Sequence, residues 1–142
     1  MPQLFFLDTN IFVYTFDNSS PQKKEHCIDL VQKALTSCNG LISSQVVQEF
    51  CNLAMRKFVV PFSCSECHMY LDEVLLPLCR VYPSENLYHI AIQLCERYLL
   101  SWYDSLIVAA AVQAGCDIIY TEDLQHGMQI SDVKICNPFI NE

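Results

Sequence analysis

Apolar residues fall in two alternating modes along the chain: short unbroken runs, and longer stretches at helical spacing. Leu4-Phe5-Phe6-Leu7 is an unbroken run, as expected of a strand buried on both faces. It ends at Asp8-Thr9-Asn10, and Ile11 to Phe16 starts the next element. Asp17-Asn18-Ser19-Ser20-Pro21 reads as a loop in which Ser19 or Ser20 caps a helix. Cys27, Ile28, Val31, Ala34 and Leu35 then recur at helical spacing within Lys23 to Ser37. Asn39-Gly40 is read as the close of that helix. Leu41-Ile42-Ser43 follows as a second strand. Ser44 is read as the cap of a helix from Gln45 to about Phe58, with Val46, Val47, Phe50, Leu53 and Ala54 on its apolar face.

The same alternation continues. A helix is predicted from Ser63 or Ser65 to about Leu76, with Pro77 as its stop. Leu78 to Tyr82 is a third strand, Ser84 to Leu100 a long helix, and Trp102 to Ala114 a further helix ended by Gly115. Asp117-Ile118-Ile119-Tyr120 is a fourth strand and Val133-Lys134-Ile135-Cys136 a fifth, near an edge. Short apolar runs alternating with helices predict an α/β fold of βα units on a mostly parallel sheet. The length, 142 residues, suits one domain spanning 1–142.

In open α/β sheets, ligands bind outside the carboxyl ends of the strands. Asp8 directly follows the first strand and Asp123 lies just past the fourth. Asp104 stands in the first turn of its helix, where Ser101-x-x-Asp104 also fits a capping box. Ile107, Val108 and Ala111 follow at i+3, i+4 and i+7, so Asp104 shares their core-facing stripe. An unpaired buried carboxylate is costly and calls for a cation, a hydrogen-bond network or a raised pKa. Glu49 lies on the flank of its helix stripe and reads equally as a boundary residue or a ligand. Asp17, Asp29, Glu66, Asp72 and Glu73 read as solvated surface, while Glu122 reads as either site or surface, with an outward side chain preferred.

Composition changes this picture at two points. Asp and Glu number 16 against 8 Lys and Arg, a net charge of −8, which argues against a basic-patch nucleic-acid binder. Hydrophobic residues at 52% and charged residues at 17% exclude a disordered chain. Nine cysteines are present without a signal-peptide pattern at Met1-Pro2-Gln3-Leu4. The chain is therefore expected to be cytoplasmic, with its thiols reduced. Its longest clean apolar run, Leu106 to Val112, falls well short of the roughly 18 residues of a membrane span. Cys64-Ser65-Glu66-Cys67-His68 has metal-ligand spacing, but no second CxxC or HxxxH completes a zinc set, and a helix surface is the reading preferred.

Clustered carboxylates without clustered His or Cys suit a hard cation such as Mg²⁺ or Mn²⁺. Such sites cleave phosphodiesters. An aspartyl-nucleophile phosphatase would want a second Asp where Asn10 stands. A receiver domain would want a Lys after a late strand, whereas Lys134 lies inside its run. Gly40, Gly115 and Gly127 are too far apart for a phosphate loop. No Gly-x-Ser-x-Gly elbow is present.

Four segments resemble the signatures of one family. They are Leu7-Asp8-Thr9-Asn10-Ile11, Ser44 to Phe50, Tyr103 to Ala111, and Tyr120 to Gly127, with Asn137-Pro138-Phe139 closing the chain in the same manner. Together they resemble PIN-domain ribonucleases, most of all the VapC-type toxins of bacterial toxin–antitoxin pairs. The resemblance covers nearly the whole chain. It implies a three-layer α/β/α fold with a mostly parallel five-stranded sheet. It also implies a Mg²⁺- or Mn²⁺-dependent endoribonuclease acting on single-stranded RNA.

By position, the catalytic residues implied are Asp8, Glu49, Asp104 and Asp123, with Asp8, Asp104 and Asp123 as metal ligands. Thr9, Asn10, Ser105 and Thr121 match the polar support positions, Asn10 by fixing Asp8, and Ser105 and Thr121 by binding phosphate or by capping. His126 is read as a loop residue. The route implied is attack by a cation-activated water, with no His pair to mark attack by the RNA 2′-hydroxyl. Lys23, Lys24, Arg56, Lys57, Arg80 and Arg97 are candidates to track the RNA backbone. The partners implied are RNA, a cognate antitoxin whose Arg would enter the carboxylate cluster, and a second copy in a homodimer. The competing reading is a non-catalytic RNA- or protein-binding module on the same fold.

Overall fold

In the computed structural model, which describes residues 3–140, the chain builds a six-stranded sheet in the order β3-β2-β1-β4-β6-β5. The strands are β1 (Phe5–Leu7), β2 (Gly40–Ser43), β3 (Cys79–Val81), β4 (Ile118–Tyr120), β5 (Gln129–Ile130) and β6 (Val133–Cys136). All neighbouring pairs are parallel except β5 with β6. The sixth strand, β5, is absent from the sequence reading. Only two residues long, with Gln129 exposed, it carries too little apolar pattern to be read. A short edge strand also leaves little backbone open to pairing with another chain.

Every residue of β1 and β2 is buried, so helices must cover both faces of the sheet centre. They are α1 (Thr9–Tyr14), α2 (Pro21–Ser37), α3 (Ser44–Arg56), α4 (Cys64–Tyr70), α5 (Leu76–Leu78), α6 (Glu85–Tyr98) and α7 (Trp102–Gln113). Phe6, Leu7, Ile42, Ile119 and Ile135 form the buried centre with Ile11, Phe12 and Phe50 from the helices. Phe50 also stacks on Tyr70 at 4.7 Å and meets Phe16, Phe58 and Phe62 edge-on or tilted. That cluster pins the middle of α3 to the core.

Three expectations about element ends are corrected. The residue that closes α2 is Cys38, in the left-handed conformation at φ 63°, not Asn39-Gly40. Gly40 begins β2 instead, because a Cβ there would lie 2.3 Å from the Ala34 Cβ and 2.8 Å from the Phe5 ring. The residue at the N-cap of α3 is Ser43 rather than Ser44. Pro77 does not stop its helix: a π-helical turn at Leu71–Leu75 precedes it and α5 continues through it. The widened turn changes the i→i−4 pattern that a proline would otherwise interrupt. The cap of α4 is Ser63, in a reciprocal capping box with Glu66.

The Gly40 contact generates a test. Gly40→Ala forces the α2–β2 packing apart and should cost about 1–3 kcal/mol. Urea denaturation should show an earlier midpoint; an unchanged midpoint would mean the close approach is not structural.

Candidate active site

β1 and β4 lie side by side in register, with Leu7 opposite Tyr120. Strand order reverses at this pair, where β1 leads back to β2 on one side and β4 on to β6 on the other. Such a switch point opens a crevice at the carboxyl ends. The residues that leave those ends are Asp8 and Thr121-Glu122-Asp123. The Asp8 N–H donates to the Tyr120 carbonyl at 3.1 Å, which fixes the two exits together.

A pocket of about 130 Å³ forms there, lined by Asp8, Asn10, Glu49, Asp104 and Asp123, among others. Asp8 caps α1. One carboxylate oxygen accepts from the Thr9 N–H at 2.7 Å, and the other accepts from the Thr121 hydroxyl at 2.7 Å. The Thr9 hydroxyl donates to Glu49 at 2.7 Å, so Thr9 bonds two carboxylates at once. The Thr121 hydroxyl in turn accepts from the Asp123 N–H at 3.1 Å. Asp104 enters from the first turn of α7, its N–H held by the Ser101 hydroxyl at 3.2 Å. Because α7 leads into β4, its N-terminus lies at the carboxyl edge of the sheet.

The electrostatics follow from this crowding. Burial raises the Asp8 pKa from 3.8 to about 6, and the charges of Asp123 and Glu49 add to the rise against the Thr121 and Thr9 hydrogen bonds. Asp123 is also raised, first by desolvation and then by Glu122, Asp104 and Glu49. Both shifts describe a pocket poised for positive charge.

The supporting residues divide. Thr9 and Thr121 are buried and hold carboxylates directly. Asn10 lines the pocket, but the bonds that fix Asp8 come from Thr9 and Thr121, not from Asn10 as expected. Ser105 does not face the pocket. It is fully buried beside Cys95, 3.0 Å away, where it packs α7 against α6, because one step along a helix turns the side chain by about 100° from that of Asp104. Glu122 is not turned outward: it accepts from the Tyr14 hydroxyl at 2.5 Å and pairs with Lys23 at 3.4 Å. His126 accepts the Asn137 N–H at 2.9 Å, which ties the Asp123 loop to the chain end. Gln45 and Tyr103 also line the pocket and were missed; Gln45 lies one turn before Glu49 and Tyr103 directly precedes Asp104, and those offsets are the signal.

Among the described residues, no three Asp, Glu, His or Cys side chains converge closely enough to hold one ion directly. The donors are all oxygens around a roomy, electronegative pocket. That set fits Mg²⁺ or Mn²⁺, which keep several waters and take few direct carboxylates. Cys64 and Cys67 lie on α4 as free thiols, and Cys67 hydrogen-bonds with Cys51.

The sequence matches the PIN domain family over residues 5–127, and the chain belongs to that family. No curated protein matches it. Solved structures share its fold. A toxin–antitoxin complex from Klebsiella pneumoniae superposes with a TM-score of 0.66 at 18% identity, covering 94% of this chain and 97% of that one. FitAcB from Neisseria gonorrhoeae gives 0.64 at 20% identity, covering 95% and 98%. VapC20 of Mycobacterium tuberculosis, described as a Sarcin-Ricin loop cleaving toxin, gives 0.56 at 17%, covering 84% and 89%.

The raised Asp8 pKa predicts a stability cost. The fold prefers the protonated acid, so Asp8 stabilises fully below pH 3.8 and loses that contribution as pH rises through about 6. At neutral pH without divalent cation the loss is about 3 kcal/mol. Asp8→Asn should therefore melt higher than wild type in EDTA at pH 7, with the gap closing toward pH 4. An Asp8→Asn melt equal to or below wild type at pH 7 would show that burial of the Asp8 charge does not cost stability.

Proposed function

We propose that this protein is a divalent-cation-dependent endoribonuclease that cleaves single-stranded RNA in the cytoplasm and serves as the toxin of a toxin–antitoxin pair. The observation that carries this reading is the gathering of Asp8, Glu49, Asp104 and Asp123 from four separate chain segments into one pocket at the switch point. A structural role does not call for such mutual repulsion. A cation and a phosphodiester together do. The PIN domain family match and the fold shared with proteins described as toxins support the same reading.

Asp8, Asp104 and Asp123 would hold Mg²⁺ or Mn²⁺, at least one of them through water. When bound, the ion would neutralise the scissile phosphate and lower the pKa of the attacking water. The chain's residues supply the rest. Thr121 aims Asp8, and the backbone N–H of Thr9 holds its other oxygen. Glu49, steadied by the Thr9 hydroxyl, is placed to take the proton from the attacking water. Leu53 and Ile107 form an apolar wall that limits solvation of the carboxylates. An antitoxin Arg seated among the same carboxylates would displace the cation and silence the protein. We further propose that the chain, as one domain over 1–142, works as a homodimer.

Cleavage of a labelled single-stranded RNA in Mg²⁺ or Mn²⁺ tests the mechanism. Asp8→Asn and Asp104→Asn should abolish cleavage while remaining folded, and Glu49→Gln should slow it about 10²–10⁴-fold. EDTA should stop the wild type. Activity that survives both Asp substitutions or EDTA would refute the mechanism. A wild type without activity would leave the non-catalytic binding module as the better reading.

A further inference from the structure

An acidic nuclease must hold a polyanion with something other than charge. The pocket lining contains four carboxylates and no Lys or Arg. Several cations elsewhere are already engaged. Lys23 pairs with Glu122 and lies over the Tyr14 and Phe139 rings. Arg80 donates to the Cys38 carbonyl at 2.5 Å, and Lys24 to Asn18 at 2.5 Å. A bound cation would neutralise only the reacting phosphate. The neighbouring nucleotides still need a grip, and their neutral surface is the face of the base.

One pocket residue offers a matching surface. Tyr103 lines the pocket immediately before Asp104 and is 67% exposed. Its ring meets no other aromatic ring among the described residues. Its backbone is fixed, since the Gln45 side chain donates to the Tyr103 carbonyl at 3.3 Å. The preceding residue, Trp102, lies 6.3 Å from Tyr88 with the rings tilted by 30°, and both are partly exposed. The start of α7 is therefore anchored on both sides while the Tyr103 ring stays open.

Resting on the ribonuclease reading above, we propose that Tyr103 is a binding residue that stacks on an unpaired base next to the scissile phosphate. A base can reach this ring only when it is not stacked inside a duplex. Tyr103 thus makes the site select single-stranded over double-stranded substrate. Stacking tolerates sequence, because every base has a π-face, and it does not depend on the sign of the protein's charge. Tyr103 directly precedes Asp104 and lines the same pocket, so a strand whose phosphate sits at the carboxylates presents its adjoining base at the ring.

The test is binding of a short fluorescein-labelled oligouridylate, followed by anisotropy with Ca²⁺ in place of Mg²⁺ to hold cleavage off. Tyr103→Ala should weaken binding about 5- to 150-fold. Tyr103→Phe should restore most of the loss, because the ring and not the hydroxyl makes the contact. An oligomer of the same length with abasic sites should bind wild type as weakly as the normal strand binds Tyr103→Ala. Equal binding by Tyr103→Ala and wild type would overturn the proposal, as would failure of Tyr103→Phe to restore it or full binding of the abasic strand. If Tyr103→Ala shifts the elution volume in size exclusion without changing oligonucleotide affinity, the ring belongs to a protein interface and the proposal also falls. A wild type that binds no single strand overturns the ribonuclease reading itself, which separates that failure from failure of the stacking contact.

Discussion

Two threonine hydroxyls hold together what electrostatics would push apart. Thr9 donates to Glu49 while its backbone N–H donates to Asp8, and Thr121 donates to the other oxygen of Asp8 while accepting from the Asp123 backbone. The three bonds that end on a carboxylate are charge-assisted and sit in partly desolvated surroundings, where such bonds are strongest. Without them the like charges would turn outward to water. The rest of the structure can be read as the means of delivering these two threonines to one edge: β1 and β4 in register bring Thr9 and Thr121 together, and the aromatic cluster around Phe50 fixes the helix that carries Glu49.

The total charge of −8 is a poor guide to what a nucleic acid would meet. Half of that excess is concentrated in Asp8, Glu49, Asp104 and Asp123, which share one pocket. There it is the charge that the proposed cation would meet rather than a spread repulsive surface. The few basic side chains mostly serve the fold: Lys23 neutralises Glu122 beside the site, and Arg80 caps the end of α2 at Cys38. Binding of RNA to such a protein would then rest on a local cation and on neutral contacts, with the long-range field opposing it.

Much of this was legible in the chain. The apolar runs gave β1 and β2 because these central parallel strands are buried on both faces and need no polar alternation, whereas β4 and β6 are only partly buried, with Lys134 exposed in β6. Asp8 and Asp123 could be placed at the site from strand ends alone. Glu49 could not, since helical phase left it on a flank; the packing of Phe50 beside it is what turns it inward. The stripe argument for Asp104 was only partly apt. Helix α7 is apolar nearly all round, with Ser105 and Ile107 through Ala111 buried, so its phase does not select one face. The position of Asp104 in the first turn, and not the stripe, brings it to the pocket. The local readings that failed did so where a long-range contact decided: Gly40 is required by Ala34 and Phe5 across the α2–β2 packing, and Glu122 is captured by Tyr14 and Lys23.

The sequence by itself determined the class of fold, the order of its elements and the residue types of the site, because hydrophobic period and strand-end position are local properties. Only the tertiary structure decided which polar groups serve the carboxylates. It assigned Thr9 and Thr121 to that task, removed Ser105 to the α6–α7 interface, gave His126 to the chain end and added Gln45 and Tyr103. Hydrogen bonds between residues as far apart as Asp8 and Thr121 depend on the register of two strands, and no local pattern along the chain encodes that register.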